Sequence, residues 1–251
     1  MSFSTDLWAR FSHRNDMQHI PNALTLSNLF CGCCALLYTF YWQPEVAALF
    51  TAASFFFDYL DGMAARALKV SSPLGKELDS LADVISFGAV PGAMIYQLLA
   101  GEPALATVFG ASFVQISALP AFVLTAFSAY RLAKFNLDTR QSDHFLGLST
   151  PASTVFVLGL ALTVHHDLFG LADVLGNPLF LYTVTALLCW LMVSEIPMFG
   201  MKVKGFDLAS NKVNLAFLAL FALFIFLLKE LALSAIIVCY IGFSILFKKS
   251  S

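Results

Sequence analysis

Four aspartates, Asp58, Asp61, Asp79 and Asp83, stand inside one short stretch, DYLDGMAARALKVSSPLGKELDSLADV, residues 58–84. The chain around them is 59% hydrophobic and only 12% charged. Asp58 and Asp61 are spaced i, i+3, and Asp79 and Asp83 are spaced i, i+4. On helices each pair therefore shares one face. Two helix ends brought together would gather four like charges, which repel unless protons or cations intervene. A donor set made only of oxygens selects hard divalent cations, Mg²⁺ or Mn²⁺, with Ca²⁺ as a further occupant. Four carboxylates suffice for two such ions, and a two-metal centre is suited to displacement at phosphorus.

The neighbouring residues are compatible with that chemistry. Gly62 leaves room for a ligand beside the backbone, and Ala64 and Ala65 are small. Arg66 can hold a phosphate. Gly75, one turn before Asp79, clears the same face. The competing reading is that the aspartates cap helix ends or pair with Arg66, Lys69 and Lys76. That reading suits one aspartate at a helix end better than four on two facing ends.

The elements that must position these residues are membrane spans. Soluble domains carry about 25% charged residues, and mean hydropathy here is +0.79. A span needs about 20 mostly apolar residues. Eight stretches qualify: 22–41, 46–65, 80–100, 105–130, 152–167, 178–199, 211–228 and 231–247. The expected fold is thus an all-α polytopic membrane protein. The connections after the first, third and seventh spans read as very short. Residues 1–20 read as a cytoplasmic segment in which Phe3, Leu7, Trp8 and Phe11, flanked by Arg10 and Arg14, form an interfacial helix. No cleavable signal peptide is apparent.

With the N-terminus inside, every Lys and Arg except Lys229 falls on the inner side, the asymmetry expected of cytoplasmic loops. Both termini are then cytoplasmic, and the aspartates lie at the cytoplasmic face. The net charge of −2 says nothing about nucleic acid, but no basic stripe exists to neutralise phosphates along a duplex, and no nucleic-acid partner is expected. Cys31, Cys33, Cys34, Cys189 and Cys239 lie in apolar runs with no complementary ligand cluster and read as packing residues. His165 and His166 lack the i, i+4 spacing of a helical ligand pair and read as interfacial residues at the outer face. A cation transporter is a rival of another class, but the aspartate pattern occurs once and near one face, without paired repeats. A non-catalytic scaffold would have no use for the intact constellation.

The pattern Asp58-x2-Asp61-Gly62-x2-Ala65-Arg66-x8-Gly75-x3-Asp79-x3-Asp83 resembles the signature of the CDP-alcohol phosphatidyltransferases at every fixed position. The resemblance implies a six-helix core, residues 21–204, with two more C-terminal spans in 205–251, usually in a homodimer. It implies metal binding by Asp58, Asp61 and Asp79. Asp83 would share the second metal and deprotonate the acceptor. Gly62, Ala65, Arg66 and Gly75 would line the CDP site.

IPNALTLSNLFCG (20–32), DSLADVISFGAVPG (79–92), YRLAKFN (130–136), FLGLSTPAS (145–153) and LMVSEIPMFGMK (191–202) resemble the phosphatidylserine synthase branch. Lys134 and Ser149 stand where that branch commonly has Arg and Pro. This likeness implies transfer of the phosphatidyl group from CDP-diacylglycerol to L-serine in a bacterial-type inner membrane, among membrane lipids. Thr25 and Asn28 would face the nucleotide. Arg131, Lys134 and Asn136, placed after the fourth span, would meet the serine carboxylate or the lipid phosphate, or else are ordinary inner-face cations. Ser149, Thr150 and Lys202 are more remote candidates. Glycerol 3-phosphate or an inositol phosphate is the alternative acceptor. The thin spread of basic residues favours serine.

Overall fold

The computed structural model describes residues 17, 19–70, 72–101, 107–108, 111–112, 115–137, 145–198, 224 and 226–246. Four helical stretches among them are long and apolar enough to cross a membrane: His19–Phe40, Pro44–Leu68, Pro73–Ala100 and Ile116–Leu137. Thr150–His165, Pro178–Val193 and Leu231–Leu246 are shorter apolar helices. The protein is a multi-spanning helical membrane protein. Large apolar side chains such as Phe30, Leu49, Phe56 and Trp190 point outward, where lipid is their natural solvent.

Helix α1 (His19–Phe40) turns through Tyr41–Gln43 into α2 (Pro44–Leu68) and packs along most of it. Lys69 closes α2 in the left-handed conformation (φ 53°), with its N–H on Arg66 O and that of Val70 on Ala65 O. Ser72 then starts α3 (Pro73–Val84): its Oγ accepts from the Gly75 N–H at 2.9 Å, and proline follows at the first helical position. A five-residue π-helical segment, Ile85–Ala89, joins α3 to α4 (Val90–Ala100).

After two short strands, β1 (Thr107–Val108) and β2 (Ala111–Ser112), a 3₁₀ turn at Ile116–Phe122 leads into α5 (Val123–Leu137). Strand β3 (Phe145–Leu146), α6 (Thr150–His165), the short α7 (Ala172–Leu175) and α8 (Pro178–Val193) follow. Strand β4 (Pro197–Met198) pairs antiparallel with β3, and α9 (Leu231–Leu246) packs on α6.

The π segment is the structural centre, touched by α1, α5 and α6. A π turn spoils the regular i→i−4 ladder, and in a membrane the freed carbonyls must find other donors. Thr154 Oγ1 donates to Phe87 O at 3.0 Å, and Thr125 Oγ1 to Gly88 O at 2.9 Å. Phe87 is fully buried and stacks on Phe55 at 4.5 Å. Glycines let the backbones approach: a Cβ at Gly32 would collide with Ser86 Oγ and lie 2.9 Å from Ser86 Cα.

Several expected boundaries move. The third helix begins at Pro73 rather than residue 80, because the Ser72 cap and Pro73 start it ahead of the apolar run. The fourth begins at Ile116 and runs to Leu137 instead of spanning 105–130. The connection before it, residues 101–115, is therefore not short. The sixth ends at Val193, where Ser194 turns extended (ψ 154°) to feed β4. The interfacial helix, and the seventh span apart from 224 and 226–228, lie outside the described residues.

Gly32→Ala is expected to cost about 1–3 kcal/mol through overpacking. It should lower the thermal unfolding midpoint in detergent. Ser86→Ala should relieve only part of the loss, because the Ser86 backbone is also in the way.

Candidate active site

Asp58 and Asp61 lie in the second half of α2, and Asp79 and Asp83 on α3. One carboxylate oxygen each from Asp58, Asp61 and Asp79 falls within a single 4.8 Å cluster. Asp83 is close enough to interact electrostatically with Asp58, Asp79 and Asp61. The structure thus gathers Asp58, Asp61 and Asp79 into one ligand group, with Asp83 beside it.

The two helices do not reach this arrangement by packing on each other. α1 makes the main contacts to both α2 and α3, and direct backbone contact between α2 and α3 is small. The gap left between them is a cavity of about 250 Å³. Its walls include Thr25 of α1, Asp61, Gly62 and Ala65 of α2, and Gly75 and Asp79 of α3.

α1 also supplies the hydrogen bonds that hold the carboxylates. Thr25 Oγ1 donates to Asp61 Oδ2 at 2.5 Å, with Pro21 O as a second acceptor at 3.0 Å. Asn28 Nδ2 donates to Asp83 Oδ1 at 3.3 Å. Asn28 is fully buried, and its own carbonyl accepts from Ser54 Oγ of α2 and Ser86 Oγ of the π segment. Thr25 lines the cavity, as expected of a residue facing a ligand. Asn28 does not: it sits against Asp83, where three elements meet. Its Oδ1 is buried without a hydrogen-bond partner.

The reading of the aspartates as caps or ion-pair partners does not match the geometry. Ser72, not an aspartate, caps α3. Among the described residues, none of Arg66, Lys69 and Lys76 forms an ion pair within 4.0 Å of the four carboxylates. Arg66 is exposed, with its guanidinium beside Gly62. Lys76 donates to Asn136 O at 2.9 Å. Carboxylates clustered in oxygen-only company, held by neutral donors and without Arg66, Lys69 or Lys76 in ion-pair range, fit a hard divalent cation.

The remaining candidates are placed differently from one another. Arg131, Lys134 and Asn136 belong to the last turns of α5 rather than to a loop, because that helix runs on to Leu137. Arg131 is buried, interacts electrostatically with Asp83, and keeps a buried Nε with no hydrogen-bond partner. With Lys134 it lines a second, much smaller cavity near Met192 and Ser194. Asn136 is a fastening: its Nδ2 donates to Ser80 Oγ at 2.7 Å. Ser149 caps α6 through the Ala152 N–H, and Thr150 is buried on the same helix. Lys202 lies outside the described residues. Asn22 and Ser72 join the cavity wall without having been singled out from the sequence, and so does Lys76, read there only as an ion-pair partner. The Ser-Pro helix start was the signal for Ser72.

The fold and site define a polytopic membrane protein with a carboxylate centre suited to hard divalent cations, set over a cavity between helix ends. The family model described as CDP-alcohol phosphatidyltransferase matches residues 18–195, and the chain belongs to that family. It is 33% identical over 180 residues to the "CDP-diacylglycerol--serine O-phosphatidyltransferase" of Bacillus subtilis (strain 168), covering 72% of this chain and 89% of that one. It is 36% identical over 210 residues to the Helicobacter pylori (strain ATCC 700392 / 26695) protein of the same name, covering 82% of each. The Saccharomyces cerevisiae protein of that name is 34% identical over 166 residues, 60% of this chain and 56% of that one.

Replacing Thr25 by Val keeps its shape and removes the donor to Asp61. Loss of such an outer-shell partner is expected to weaken Mn²⁺ binding about 10- to 100-fold. Titration of free Mn²⁺ by electron paramagnetic resonance measures this, and Thr25→Ser should retain most of the affinity.

Proposed function

We propose that the protein transfers the phosphatidyl group of CDP-diacylglycerol to the hydroxyl of L-serine, giving phosphatidylserine and CMP. The observation that carries this reading is the intact aspartate pattern gathered over a cavity, in a chain whose relatives bear the serine-transferase name. Asp58, Asp61, Asp79 and Asp83 would hold two divalent cations, Mg²⁺ or Mn²⁺. Bound there, such ions neutralise the diphosphate and acidify the acceptor hydroxyl.

This chain's own groups do the rest. Gly62, Ala65 and Gly75 keep the cavity wall low, so that the cytidine diphosphate can lie against the backbone. Arg66, beside Gly62, faces the phosphate that departs with CMP. Thr25 orients Asp61, and Asn28 orients Asp83 by donating from its Nδ2 to Asp83 Oδ1. The other oxygen of Asp83 takes the serine hydroxyl proton as the serine oxygen attacks the lipid-linked phosphorus. The bond from this phosphorus to the CMP oxygen breaks. Arg131, buried behind Asp83, is the cation for the serine carboxylate or the lipid phosphate, with Lys134 beside it.

The family core is taken as residues 21–204, with 205–251 adding two spans to a total of eight. The inner-face excess of Lys and Arg supports cytoplasmic termini and a cytoplasmic site in a bacterial-type inner membrane. A homodimer is the proposed assembly.

CMP release from CDP-diacylglycerol in detergent should require L-serine, and glycerol 3-phosphate or inositol phosphate should not replace it. Metal removal should stop the reaction, and Mg²⁺ or Mn²⁺ alone should restore it. Asp79→Asn is expected to lower turnover by about a thousandfold or more without loss of expression. Substantial activity in that variant would remove Asp79 from the centre.

A further inference from the structure

At the other end of α2, a second cluster of ligating side chains has no part in phosphatidyl transfer. Glu45 lies in the first turn of α2, roughly 20 Å along the axis from Asp58 at 1.5 Å per residue. His165 ends α6, and His166 and Asp167 follow in its terminal turn. His165 Nε2 stands 3.1 Å from Glu45 Oε1, and His166 Nε2 stands 3.0 Å from the same oxygen. Adjacent histidines in mid-helix would diverge by about 100°. Here the helix stops at His165, and Asp167 turns left-handed (φ 45°). The expected interfacial histidines thus become two rings aimed at one carboxylate.

We infer that Glu45, His165 and His166 form a transition-metal site, best matched to Zn²⁺, on the face of the protein opposite the aspartates. The donor set is two imidazole nitrogens and one carboxylate oxygen, with their ligand atoms all within 4.8 Å of one another. Bonds of about 2.0–2.1 Å in a tetrahedral site put neighbouring ligand atoms about 3.3 Å apart. The two Glu45–histidine distances are already close to that spacing.

An outer carboxylate stands near, a little beyond hydrogen-bond length. His166 turns its other ring nitrogen, Nδ1, toward Glu230 Oε1 at 3.7 Å. A carboxylate behind a ligating histidine is the usual device that fixes its tautomer and raises its basicity. Glu230 Oε2 is buried without a hydrogen-bond partner among the described residues. Trp42 packs edge-on against His165 at 5.8 Å and shields one side. Half of the Glu45 side chain remains exposed, which leaves an entry path and room for a water as fourth ligand. The bound ion ties the start of α2 to the end of α6 and, through Glu230, to the turn before α9.

The test uses the full-length protein in detergent, stripped of metal and titrated with Co²⁺ alone. The expected result is the intense visible d–d absorption of four-coordinate Co²⁺, with an amplitude at saturation that corresponds to one such ion per chain, and abolished by Zn²⁺. Asp79→Asn should leave this absorption intact, since oxygen-ligated, six-coordinate Co²⁺ at the aspartates absorbs only weakly. His165→Ala/His166→Ala should abolish it. Glu230→Gln, which preserves shape, should weaken Co²⁺ binding about 10- to 100-fold and covers the case in which the double variant does not fold. Weak six-coordinate absorption alone in the wild type would overturn the inference. So would four-coordinate bands that survive loss of both histidines, or an unchanged affinity in Glu230→Gln.

Discussion

The arrangement depends on keeping several carboxylates together where their mutual repulsion is poorly screened. Helices α2 and α3 cannot close on each other around that charge, and they do not. α1 acts as the spacer that both helices pack against. From it Thr25 and Asn28 donate hydrogen bonds to Asp61 and Asp83. Neutral donors fix the carboxylates without cancelling their charge, so the attraction for cations survives. The cavity between the helices follows directly from this separation.

The spacer works only if α1 is tightly seated, and the π segment provides the seat. Gly32 lets α1 approach Ser86, and the Asn28 carbonyl collects hydroxyls from α2 and from the π segment. The irregular backbone is tolerated at membrane depth because Thr154 and Thr125 satisfy the carbonyls it frees. Asp83 lies just before this segment, so the π turn helps set its position relative to α1.

α2 carries contrasting donor sets at its two ends. One end presents carboxylates alone, a hard set suited to Mg²⁺ or Mn²⁺ and to phosphate-bearing ligands. The other presents a carboxylate with two imidazoles, a set suited to Zn²⁺. The helix keeps these sets at its two ends, roughly 20 Å apart along its axis. An ion at the histidine end would steady the same helix that positions Asp58 and Asp61.

The membrane class, the four long apolar helices and the aspartate constellation are legible in the sequence, because each rests on local rules. Apolar runs must match a bilayer's thickness, and i, i+3 or i, i+4 spacing fixes a helix face whatever lies beyond it. Boundaries set by caps rather than hydropathy, such as Pro73, were less legible. So was the run of α5 through Arg131 to Leu137, where polar residues continue a helix past its apolar part. Contacts between distant segments were decided by the tertiary structure alone. It turned Asn28 toward Asp83 rather than the cavity, made Asn136 a fastening for α3, and placed Glu45 against two histidines more than a hundred residues away. Spacing along a chain reports which side chains share a face. Which face meets which is settled only when the helices pack, by the fit of their side chains and the demand that every buried polar group find a partner.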